Sequence, residues 1–75
     1  MSYGKMNRAD KIELARMLAH DAKTLEWGSE EQIEAENTFC EVAEHLGCDM
    51  WDLWLYAFKA KTEEWIDYAL SMIEE

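Results

Sequence analysis

The chain has 75 residues, 49% of them hydrophobic, and sets 17 acids against 7 lysines and arginines for a formal net charge of −10. That length allows one domain at most and leaves little room for a deep substrate pocket, while the hydrophobic content excludes the disordered state of many acidic chains. The charge argues against binding nucleic-acid phosphates directly, no run approaches the ~18 apolar residues of a membrane span, and Met1 to Lys11 is too polar for a secretory signal, so a cytoplasmic location is expected.

Proline is absent and the three glycines stand at positions 4, 28 and 47, so the segments between them carry no helix breaker. Asn7 is placed to cap a first helix over about 8–26, in which Ile12, Ala15, Leu18, Ala19, Ala22 and Leu25 recur at three- and four-residue spacing. Ser29 and Gln32 have the spacing of a capping box for a second helix over about 30–46, with Glu30 and Glu31 in its first turn and Ala35, Phe39, Val42, Ala43 and Leu46 on its core face. Gly47 is the expected left-handed stop, and Asp49 is placed to cap a third helix over about 50–60, with Asp52 in its first turn.

That third segment carries Trp51, Leu53, Trp54, Leu55, Tyr56 and Phe58 and is apolar nearly all round, with a brief strand-like ambiguity over Trp51 to Phe58. Trp65, Ala69 and Met72 continue the seven-residue phase of Trp51 and Phe58, which fits one helix running on to Ile73. Lys59 and Lys61 suit a helix end, and Thr62, Glu63 and Glu64 suit a new beginning over about 63–73. The pattern therefore predicts an all-α, compact three- or four-helix bundle, with a break near Lys61 favoured over a continuous last helix.

Charge is uneven along the chain. Residues 1–23 hold five bases and three acids; residues 24–58 hold nine acids and no lysine or arginine; residues 59–75 hold two bases and five acids. On a helix, Glu30, Glu34, Glu41 and Glu44 share one face, with Glu31 beside it, in steps that rise by roughly 5–6 Å per turn. That interval resembles the spacing of phosphates along a nucleic-acid strand. Such a row repels itself by a few tenths of a kcal/mol per exposed pair. A solvated acidic face that keeps a small protein soluble is the plainer explanation, but the lack of any base over the middle stretch points to a surface for a basic partner.

Four tryptophans in so short a chain invite the same question. Most of the aromatic side chains of the third helix are expected in the core, with at least one exposed, because one helix of a small bundle cannot bury every face. Trp51 and Trp54, flanked by Asp49 and Asp52, are the candidates to meet a basic groove with an apolar floor. Trp27, beside Gly28, is the next candidate or closes the end of the bundle. A second copy of the chain is the other occupant that this helix could take.

Chemistry finds little support. Cys40, Glu44, His45 and Cys48 match no common zinc spacing, and Glu41 with His45 lacks the interval of carboxylate-bridged metal bundles. Cys40 fits a small core residue, and His20 or His45 a surface one. No nucleophile–base motif and no phosphate loop is present, so neither an enzyme, a metal nor a cofactor is expected.

In size, acidity, helical content and tryptophan count, carried by Glu30, Glu31, Glu34, Glu41, Glu44 and the Trp51–Phe58 segment, the chain resembles the small phage-encoded inhibitors of host defence, among them helical DNA mimics and some anti-CRISPR proteins. The resemblance implies a protein that occupies the nucleic-acid-binding surface of an enzyme or effector complex.

Overall fold

The computed structural model describes residues 5–59 and 62–74 and places in them α1 (Arg8–Thr24), α2 (Glu30–His45), α3 (Met50–Lys59) and α4 (Thr62–Glu74). The fold is an all-α bundle, and the ambiguous Trp51–Phe58 run is helix. The expected break near Lys61 lies outside the described residues, which run as α3 to Lys59 and as α4 from Thr62.

Local chemistry sets most of the helix ends. The Asn7 side chain accepts from the Asp10 amide at 2.8 Å, and the Asp49 carboxylate accepts from the amides of Trp51 at 3.0 Å and Asp52 at 3.3 Å. At the end of α2, Gly47 takes φ +89°, its amide donates to the Glu44 carbonyl, and the Cys48 amide donates back to Ala43. Those two bonds are the Schellman pattern, which occupies carbonyls that the last turn would otherwise leave bare.

The turn between α1 and α2 departs from expectation. α1 closes at Thr24, with Leu25 extended at ψ 155°, rather than near residue 26. Ser29 Oγ accepts from the Gln32 amide as a capping box requires, but the Gln32 side chain reaches past Ser29 and accepts from the Gly28 amide at 3.3 Å. Its Nε2 donates to the carbonyl of Ala22 at 3.2 Å, a group that the early end of α1 has left without a helical partner. Gln32 is therefore buried, at 1% exposure, and fastens α2 to the end of α1.

The core is built from Ala15, Ala19 and Ala22 of α1, Ala35, Phe39, Val42 and Ala43 of α2, and Trp65, Ile66, Ala69 and Ile73 of α4. Ile12, Leu18 and Leu25, expected with the α1 alanines, are partly buried at its margin. α1 lies along α2 and against α4, whereas α3 rests mainly on α4. α3 sends only Leu53 fully into the core. The Cα envelope measures 31 × 24 × 16 Å, and with helix axes 8–10 Å apart its short dimension holds about two layers. A helix at the edge of so thin a body keeps one face open. Among the described residues no helix is long and apolar enough to cross a membrane.

Candidate functional site

That open face belongs to α3. Trp51, Trp54 and Phe58 are 69%, 68% and 87% exposed, and Leu55 is 45% exposed. Positions 51, 54, 55 and 58 stand at i, i+3, i+4 and i+7 and form one stripe along the helix. The expectation that most of these aromatic side chains would be core is corrected. The core side of α3 is taken by Leu53, and by Tyr56, which stacks on Tyr68 of α4 with ring centroids 4.2 Å apart.

On α2, Glu30, Glu31, Glu34, Glu41 and Glu44 are all exposed. Glu30, Glu34, Glu41 and Glu44 lie on the face opposite Phe39, Val42 and Ala43, with Glu31 at the side. Three of the four bases of α1 are occupied elsewhere: Arg16 pairs with Glu74 at 2.6 Å, Lys23 with Asp67 at 2.6 Å, and Arg8 donates to the Leu46 carbonyl at 3.4 Å. Among the described residues no lysine or arginine is ion-paired with the α2 row.

The two aspartates expected to flank the tryptophans have structural duties. Asp49 caps α3, and the Asp52 carboxylate accepts the hydroxyl hydrogen of Tyr68 at 2.6 Å. That bond pushes the Tyr68 phenol above its ordinary value, with loss of hydration and the nearby negative charge of Asp52 adding to it. Trp27 is 45% exposed but belongs to the α1–α2 turn, on neither the stripe nor the acidic row.

A groove of about 230 Å³ separates α2 from α3. Glu36, Asn37 and Cys40 line it from α2, Met50, Leu53, Trp54 and Ala57 from α3, and Trp65 from α4. Asn37 lies on the face of α2 that carries Glu34 and Glu41, and Trp54 belongs to the stripe, so the groove joins the acidic row to the aromatic surface. Trp65, 5% exposed, packs its ring against Phe39 at 5.7 Å between centroids. No single residue in the sequence announces this groove, since its walls come from three helices.

The groove offers little for nucleophilic chemistry. Burial, with Glu36 and Glu41 adding negative charge, raises the Cys40 thiol to about 11, so at neutral pH it is protonated and a poor nucleophile. Burial also raises Cys48, against a smaller opposing pull from Arg8. Among the described residues no three His, Cys, Asp or Glu side chains converge as a metal site would need. The surface sets exposed apolar side chains of α3 beside exposed carboxylates of α2. No family model, curated protein or solved structure matches the chain.

Proposed function

We propose that this protein is a small, non-enzymatic inhibitor or adaptor that docks the carboxylates of α2 on a basic surface of a partner protein, of the kind that otherwise holds nucleic acid. The observation that carries the reading is that Glu30, Glu34, Glu41 and Glu44 face outward opposite the core while Arg16 and Lys23 of α1 pair with α4. A row of like charges gives the fold nothing, whereas a basic partner gains steered association and charge neutralisation from it. The resemblance to phage-encoded inhibitors of host defence, DNA mimics and anti-CRISPR proteins among them, points the same way. On this reading the protein acts in the cytoplasm, that of a host cell if it is phage-encoded.

The test is affinity capture of the partner at low and high salt, with duplex DNA as competitor and Glu34→Lys/Glu41→Lys as the variant. Capture should fall steeply with salt, yield to DNA, and disappear in the double variant while its helical circular dichroism stays unchanged. Retention of the partner by the folded double variant rejects the reading.

A second reading is favoured by the α3 stripe: a structural or assembly module that dimerises through Trp51, Trp54, Leu55 and Phe58. Sedimentation equilibrium decides it. A dimer that Trp54→Ala dissociates supports it, and a monomer at high concentration removes it.

A further inference from the structure

We propose that the groove between α2 and α3 seats the apolar side chains of a basic amphipathic helix from the partner protein. The inference rests on the reading of the acidic row given above and names the form in which the partner meets it.

Size is the first reason. Small-molecule sites run from about 300 to 1,000 Å³, and this groove, at about 230 Å³, is on the scale of anchoring side chains. Shape and chemistry are the second. Met50, Leu53, Ala57 and Trp65 make apolar walls, and Met50 adapts its contour to what it meets. Trp54 is shared with the exposed stripe, so an incoming helix that buries one residue in the groove lays the next turn over Trp54 and Phe58.

Charge selects the occupant. Glu36 lines the groove, the face carrying Glu34 and Glu41 borders it through Asn37, and residues 24–58 hold nine acids and no lysine or arginine. A helix with lysine or arginine flanking its apolar face complements that border. A second copy, carrying the same −10 and the same base-free stretch, brings carboxylates towards carboxylates. An anionic membrane surface is repelled in the same way.

The probes are two synthetic helical peptides with identical lysines, one bearing leucines at i, i+3, i+4 and i+7 and the other serines there. Titration calorimetry against the full chain reads their affinities. The leucine peptide should bind at least about tenfold more tightly than the serine peptide. Ala57→Trp, which fills the groove from an exposed position, should erase that difference; Trp54→Ser, which removes one wall, serves the same purpose if Ala57→Trp does not fold. Glu34→Lys/Glu41→Lys should weaken both peptides together.

Equal binding of the two peptides, no binding of the leucine peptide, or undiminished binding to the folded groove variants each overturns the inference. A wild-type dimer that Ala57→Trp converts to monomer also overturns it, since the occupant is then a second copy. If the leucine preference survives in Glu34→Lys/Glu41→Lys at unchanged affinity, the acidic-row reading fails and the groove stands. If the serine peptide binds as tightly and salt-sensitively as the leucine peptide, the groove fails and the acidic row stands.

Discussion

Tyr68 donates its hydroxyl hydrogen to Asp52 at 2.6 Å, and beside that bond its ring stacks on Tyr56 at 4.2 Å, so one residue of α4 holds α3 by both its polar tip and its face. The orientation of the aromatic stripe depends on this attachment, because α3 has little else in the core beyond Leu53.

Loosening the attachment should free α3 before the rest of the bundle. In Asp52→Ala or Tyr68→Phe, amide hydrogen exchange is expected to quicken over Met50–Lys59 while α1 and α2 keep their protection. Uniform acceleration across all four helices is the contrary result.

The same bond has a pH signature. Tyr68 holds its proton above the ordinary tyrosine value near 10, first through the hydrogen bond to Asp52 and then through loss of hydration and the Asp52 charge. A raised folded value favours the protonated form, so the stability it contributes is fully present below about pH 10 and is lost as pH climbs through the raised value. Tyrosinate absorbance should show a late-titrating component that moves to lower pH in Asp52→Ala.

Gln32 is the buried polar link of the α1–α2 turn. Gln32→Leu keeps the bulk and leaves the Ala22 carbonyl and the Gly28 amide without their side-chain partner. An unsatisfied buried group costs about 1–3 kcal/mol, and about 1 kcal/mol moves the midpoint of a domain this size by roughly 4–8 °C. Calorimetry should therefore show a fall of several degrees, and an unchanged midpoint would mean that water replaces the amide at no cost.

Glycine 47 isolates a backbone effect. An added Cβ meets nothing within 4 Å, yet φ is +89°. Gly47→Ala should thus cost about 1–2 kcal/mol through conformation alone, and denaturant unfolding should give a lower midpoint with an unchanged slope.

The starts of α1, α2 and α3 and the stop of α2 are legible in the sequence because Asn7, Ser29, Asp49 and Gly47 act on backbone groups close to themselves along the chain. The open face of α3 is not legible. A helix apolar all round buries whichever side its neighbour covers, and that choice is made by Tyr68, sixteen residues beyond Asp52. The seven-residue phase shared by Trp51, Phe58 and Trp65 misleads for the same reason: Phe58 of α3 is 87% exposed and Trp65 of α4 5%. The acidic row is legible as a pattern, but nothing in local spacing encodes that Arg16 and Lys23 of α1 pair with Glu74 and Asp67 of α4 rather than with that row. Gln32 reads as half of a capping box, and only the early close of α1 turns it into a link between helices.

Trp54 and Trp65 border one groove from opposite sides of the burial boundary, and truncating each should separate binding from folding. Trp65→Ala opens the core beside Phe39 and should cost about 3–5 kcal/mol, enough to unfold many domains of this size. Trp54, 68% exposed, surrenders little buried area, so Trp54→Ala should unfold within about 1 kcal/mol of the parent chain. At an interface, tryptophan truncation commonly costs 2 kcal/mol or more of binding, about thirtyfold in affinity. A Trp54→Ala protein of native stability that binds its partner thirtyfold more weakly is the expected result; equal losses in stability and binding would mean that Trp54 supports the fold and only indirectly the surface.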